Sequence, residues 1–139
     1  MLAVRLHHDG VKVEEIETPS PHPGEVLVRV HAAAITRGEL EWPVDRLPAI
    51  PSYELSGVVV DSGDEVYALT PFDRDGVAAE YAVVPAEVLA PKPLRLSHVE
   101  AAALPMGALT AWQALFVHGR GARLSAGRGD GGRETIRLG

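Results

Sequence analysis

The chain has no cysteine, so its chemistry must begin from hydroxyls, histidines, carboxylates or a glycine run. Disulfides, thiolate nucleophiles and every cysteine-containing zinc site are thereby excluded. The six histidines, at positions 7, 8, 22, 31, 98 and 118, form no i, i+4 pair and no carboxylate pattern typical of a metal site. Solvated or capping roles are expected for all of them. Asp73-Arg-Asp-Gly76 offers too few oxygen ligands for a calcium loop and reads as a turn. Gly127, Gly129 and Gly132 spell G-x-G-x-x-G. That spelling binds a dinucleotide only where a strand leads through a tight turn into a helix whose N-terminus faces a pyrophosphate. No apolar strand precedes it, and the seven residues after it are too few for a crossover helix. Arg128-Gly129-Asp130 is an adhesion tripeptide by spelling alone, since no export signal is evident.

The element that must position any site is the stretch from Ser97 to His118. Ser97 is followed three residues later by Glu100, the spacing at which a hydroxyl and a carboxylate cap each other's backbone amides. An alanine-rich run comes next. Pro105 then splits the segment, because proline cannot continue an interior helical turn. Leu109, Trp112 and Phe116 recur at helical spacing, with Ala108 and Leu115 widening the stripe. Two linked helices are expected, with an apolar face that needs a cover.

Composition sets the class. The 139 residues are enough for one domain with a core of its own, at 46% apolar and 23% charged. A net charge of −6 argues against nucleic acid and anionic membrane surfaces, which reward basic stripes. No stretch approaches the roughly 18 apolar residues of a spanning helix. Arg5, His7, His8 and Asp9 stand where a signal peptide would be apolar, so a cytoplasmic location is expected.

Along the chain, Leu2–His7 and Val11–Glu17 read as strands around an Asp9-Gly10 hairpin turn. Alternating prolines make residues 18–24 an extended connector. Glu25–Ala34 reads as a strand with Val26, Val28 and Val30 on one face. Thr36–Trp42 is one short helical turn, and Tyr53–Asp61 and Asp64–Leu69 are strands joined through Ser62-Gly63. Val77–Val84 is a further strand and Val88–Lys92 a short edge strand. Many short strands followed by helices predict a mainly β (α+β) fold, a partly open β-barrel with C-terminal helices. Residues 119–139 hold seven of the fourteen glycines and five arginines, a composition expected of a solvated segment.

Five motifs appear in order: Gly24-Glu-Val-Leu-Val-Arg-Val-His-Ala-Ala33, Pro51-Ser-Tyr-Glu-Leu-Ser-Gly57, Gly63-Asp-Glu-Val-Tyr67, Ala79-Glu-Tyr81 and Leu104–Leu115. Together they resemble the GroES-like N-terminal catalytic domain of the medium-chain dehydrogenase/reductase superfamily, and within it the zinc-independent, quinone-oxidoreductase-like branch. The resemblance covers residues 1–118. It implies a cleft between this domain and a Rossmann domain holding NADP(H) or NAD(H), and hydride transfer to a quinone, enone or other small carbonyl. Zinc-using relatives place metal ligands at three points that fall here on Thr36, Tyr53 and Met106, so no zinc is expected.

By the same resemblance Thr36 and Tyr53 are the catalytic hydroxyls, polarising the carbonyl oxygen, and Thr110 is the nicotinamide contact. Plainer roles stay open: Thr36 as a cap on the turn at Arg37–Leu40, Tyr53 as barrel packing, Thr110 as a helix threonine bonding back to a carbonyl. Glu54 is either an acid supporting the metal-position residue or a salt-bridge partner. Trp112 and Phe116 are expected to be core. Residues 119–139 do not continue into the expected Rossmann strand, which reads as a truncation, with weak or absent activity for the chain alone. Two other readings fit the same residues: a standalone binding or scaffold module, or a gene remnant. In the former, the uncovered apolar helix face could pair two copies of the chain as a homodimer.

Overall fold

A computed structural model describes residues 1–36, 38–42 and 47–119, and the backbone of two further strands, Leu124–Arg128 and Glu134–Leu138. Alternation and turn chemistry account for most of its elements. β1 (Leu2–His7) and β2 (Gly10–Glu15) form an antiparallel hairpin, with Val4 opposite Val13 and His7 opposite Gly10. The two-residue turn is therefore His8-Asp9, one position earlier than the Asp-Gly signal suggested.

β3 (Glu25–Ala34), β4 (Glu54–Val59), β5 (Glu65–Leu69), β6 (Tyr81–Pro85) and β7 (Ala90–Pro91) form one sheet in the order β6-β3-β4-β5-β7. All four ladders are antiparallel, and a register shift between Val30 and Ala32 bends β3 beside β4. The sheets are open and do not close into a barrel. Single bridges, Ala3 to Ala79 and Leu6 to Ala49, tie the β1–β2 hairpin to the rest. The β4–β5 turn is tight: Val59 N–H donates to Asp64 O, Gly63 N–H to Val59 O, and Gly63 takes φ +77°.

One face of the sheet carries the core of Val28, Leu55, Val59, Val66, Val77, Ala82 and Val84. The other is covered by α1 (His98–Ala102), which packs against β3, β4 and β5 through Ala101 and Ala102, both essentially inaccessible. The capping box forms as expected. Glu100 N–H donates to Ser97 Oγ, and Ser97 N–H donates to Glu100 Oε2 at 2.9 Å. α2 (Pro105–Trp112) opens on its proline, where a missing N–H costs nothing, and continues as π-helical turns over Gln113–His118.

The chain divides into two compact units, Met1–Met106 and Gly107–Gly139. In the second, Trp112 and Phe116 pair with ring centroids 4.3 Å apart. Both are more than half exposed, so they are not the core residues the helical stripe suggested. β8 (Leu124–Arg128) and β9 (Glu134–Leu138) pair antiparallel, where composition suggested a solvated segment. Gly127 lies inside β8 opposite Thr135, and a strand stands where a dinucleotide motif would begin its helix. Gly129 and Gly132 lie outside the described residues.

Candidate active site

Two loops and the head of α2 converge on the residues singled out by resemblance. After β3 the chain enters a 3-10 turn, Glu39–Glu41, closed by Glu39 N–H donating to Thr36 O at 2.9 Å. Thr36 does not cap this turn. Its Oγ1 points instead to the Sδ of Met106, 3.5 Å away. Thr36 and Met106, seventy residues apart in sequence, thus meet.

The turn is anchored by a carboxylate that local spacing does not mark. Glu39 is only 4% exposed. Its Oε2 accepts Thr36 N–H at 2.9 Å and its Oε1 accepts Ser52 N–H, so one side chain fixes both loops. Ser52 is fully buried at φ +72°, a left-handed conformation that disfavours any residue with a Cβ. Its Oγ donates within reach of Ala34 O (2.8 Å) and Glu54 O (3.2 Å), which helps hold that conformation. Gly76 closes the corner from behind. Its N–H donates to Ile50 O, and an added Cβ would lie 2.2 Å from the Ser52 carbonyl oxygen.

Tyr53 follows this corner. Its carbonyl accepts both Thr70 N–H (2.7 Å) and Thr70 Oγ1 (3.0 Å). Its ring packs against Phe72 at 4.7 Å between centroids, and Phe72 packs on Trp42 at 6.1 Å. These three rings, with Glu39, Ile50 and Pro51, line a cavity of about 320 Å³. That volume lies within the range of small-molecule sites. Glu54, 5% exposed, accepts the backbone N–H of Met106 at 2.8 Å through Oε1. Its role is to seat the head of α2 beside Thr36. Thr110 lies on α2 in the second unit and is exposed.

Trp42, Phe72, Glu39 and Ser52 were missed by sequence reasoning. The aromatic pair had no periodic signal, because each sits alone in a polar loop. Among the described residues, no group of three histidine, aspartate or glutamate side chains stands where it could hold a metal.

The family model of the alcohol dehydrogenase GroES-like domain matches residues 22–74, from the approach to β3 through the Phe72 turn. The chain belongs to the medium-chain dehydrogenase/reductase superfamily. This medium-chain dehydrogenase/reductase chain is 40% identical over 113 residues to a probable mitochondrial zinc-binding oxidoreductase of Arthroderma benhamiae, covering 71% of this chain and 34% of that one. It is 32% identical to 2-methylene-furan-3-one reductase of Solanum lycopersicum, over 94% of this chain and 40% of the reductase. The quinone oxidoreductase of Thermus thermophilus, solved also in complex with NADPH, superposes with a TM-score of 0.75 at 34% identity. That match covers 91% of this chain and 43% of the oxidoreductase. The chain thus spans about two-fifths of the relatives it matches. It is built of open antiparallel sheets with a helix across one face, and none of its described helices is long and apolar enough to cross a membrane.

Some relatives carry zinc in their names, so the three positions matter. They hold a hydroxyl, a phenol and a thioether, and the hydroxyl already points to the thioether. Zinc takes thiolate, imidazole or carboxylate ligands. This donor set does not fit it.

Proposed function

We propose that this chain forms the substrate wall of an NAD(P)H-dependent, zinc-independent reductase that transfers hydride to a quinone, enone or similar small carbonyl. Four observations support the reading: the similarity to a quinone oxidoreductase and an enone-type reductase, the misfit to zinc, the aromatic cavity, and above all the placement of Thr36. A nicotinamide, when bound, supplies the hydride. As hydride reaches the substrate, negative charge grows on its carbonyl oxygen, and a fixed hydroxyl donor stabilises that charge more than it stabilises the ground state.

Thr36 suits that task. Its backbone is pinned by Glu39, and among the described residues its hydroxyl donates to a thioether, a weak acceptor. Turning from sulfur to a carbonyl oxygen therefore costs little. Tyr53 stands on the strained Ser52 corner, with its ring held by Phe72, and contributes the second hydroxyl. The cavity beside it, walled by Trp42, Tyr53 and Phe72, favours planar apolar substrates.

The test is a titration of the 139-residue chain with menadione, a naphthoquinone, followed by two-dimensional NMR. The expected perturbations centre on Thr36, Trp42, Tyr53 and Phe72. Perturbations confined elsewhere, or none at millimolar ligand, would refute the placement.

A second reading, a binding module that pairs through its apolar helix, is favoured by the exposure of Leu109, Trp112, Leu115 and Phe116. Unpartnered apolar surface of that kind marks interfaces. Light scattering across a concentration series separates the two: a stable dimer dissociated by Trp112→Asp supports the module, and a monomer at all concentrations refutes it.

A further inference from the structure

A polar cluster lies apart from the cavity, on the sheet face away from the valine core. His98, the first residue of α1, stacks on the His31 ring of β3 with centroids 4.4 Å apart and planes 29° apart. Its Nδ1 lies 2.8 Å from Ser56 Oγ on β4, and its Nε2 lies 3.4 Å from Glu65 Oε1 on β5. Glu65 Oε2 pairs with Lys92 Nζ at 3.2 Å, and Lys92 also donates to the Leu96 carbonyl just before α1. The His98 and Lys92 side chains are 18% and 6% exposed, so this is an interior network and not the solvated histidine expected from sequence. The hydride-transfer reading makes no use of it.

Ser56 has one hydroxyl proton and two acceptors, because its Oγ also lies 3.0 Å from the Val66 carbonyl. With His98 neutral and its proton on Nε2 toward Glu65, the Ser56 proton goes to Nδ1. With His98 charged, Nδ1–H donates to Ser56 Oγ, and the hydroxyl proton turns to Val66 O. Burial holds the His98 pKa below its ordinary 6.5, and the His31 ring pushes the same way; Glu65 opposes them and Lys92 reinforces them. Tyr67 of β5 stands directly opposite Ser56, and Arg29 of β3 stands two residues before His31, opposite Val58.

α1 presents His98, Ala101 and Ala102 to the sheet, and after a turn at residues 103–104 the buried Pro105 opens α2. The next residue is Met106, whose N–H is held by Glu54 and whose sulfur receives Thr36. A small tilt of α1 therefore moves Met106.

We propose that His98 is a proton-sensitive positioning residue: its neutral ring docks α1 on the sheet and so seats Met106 against Thr36 and Glu54, and its protonation loosens that seat. The bearing on chemistry rests on the reading of Thr36 given above. The coupling of His98 to Met106 does not, and it is measured without substrate or cofactor.

The chain has two methionines, so methyl-13C-methionine labelling gives two NMR signals, from Met1 and Met106. The 139-residue chain is titrated from about pH 7.5 to about pH 5, above the range where ordinary carboxylates protonate. The Met106 methyl signal shifts with the same midpoint as the His98 ring, below 6.5, while Met1 does not follow. His98→Asn keeps a group for Ser56 but cannot titrate, and its Met106 signal stays within its line width over that range. His31→Asn removes the stacked ring, moves the His98 midpoint up toward 6.5, and carries the Met106 midpoint with it. A Met106 signal that is flat while His98 titrates overturns the proposal, as does a Met106 midpoint unmoved in His31→Asn. Failure of carbonyl binding at Thr36 would leave this result standing, so the two tests fail separately.

Discussion

Replacing Glu39 tests whether one buried carboxylate holds the site together. Its two oxygens accept the backbone amides of Thr36 and Ser52, and Ser52 N–H has no route to water. Glu39→Ala strands both donors. An unsatisfied buried donor costs about 1–3 kcal/mol, which applies in full to Ser52 N–H, while the half-buried Thr36 N–H adds less. The left-handed Ser52, disfavoured by roughly 1–2 kcal/mol on its own, then loses a main restraint. Glu39→Gln keeps one carbonyl acceptor and sets an amide NH2 against the other donor, for about 1–3 kcal/mol. Domains of this kind have about 5–15 kcal/mol in all, so Glu39→Ala sits near the limit of folding and Glu39→Gln is the safer measurement. Urea unfolding followed by circular dichroism, with m unchanged, is expected to rank wild type above Gln and Gln above Ala. A loss below about 1 kcal/mol for Ala, or equal losses for the two variants, would show that the amides have other partners.

Gly76→Ala places a Cβ against the carbonyls of Ser52 and Pro51, where no rotamer can relieve it. A loss of about 3 kcal/mol or more is expected in the same urea assay, and a neutral result would mean that the corner is looser than drawn. Acid destabilises the fold in two steps. Arg74 beside Glu25, Lys92 beside Glu65, and the Ser97 amide and hydroxyl on Glu100 each hold a carboxyl below its ordinary 4.5. A folded value below the unfolded one adds stability that is present above pH 4.5 and lost as pH falls through the folded values. Arg74→Gln should return Glu25 toward 4.5, which lowers the urea midpoint at neutral pH and makes its fall on acidification smaller. His98, also lowered, adds stability that is complete above 6.5 and drains away as pH falls through its folded value, a step absent in His98→Asn. NADPH should bind the 139-residue chain weakly, because Thr110 is its one candidate nicotinamide contact; fluorescence titration giving low-micromolar affinity would contradict this.

The legible parts of the fold were those written in local spacing. β3 has the bounds that its valine alternation indicates, and the Ser97/Glu100 box opens α1 as its hydroxyl–carboxylate interval requires. The His8-Asp9 turn was misplaced by one residue because register is fixed by cross-strand pairs such as Val4–Val13, which a dipeptide signal does not contain. The supports of the site were not legible. Glu39 acts on Ser52, thirteen positions away, Glu54 on Met106, fifty-two away, and His98 on Ser56, forty-two away. Such contacts leave no period in the chain. Thr36 and Tyr53 were singled out only because ordered motifs around them resemble a family, and their spacing alone would have left them as a cap and a packing residue.

The most direct measurement is the carbonyl of a bound ligand. Cyclohexenone labelled with 13C at its carbonyl is mixed with excess chain, and its resonance is compared with that in water. A fixed hydroxyl pair that polarises the C=O bond moves the signal downfield of its position in water. Thr36→Val and Tyr53→Phe should each remove part of the shift, and the double variant should remove it entirely. A signal at or upfield of the water position, or one that the double variant leaves unchanged, would contradict a carbonyl-polarising role for these two hydroxyls.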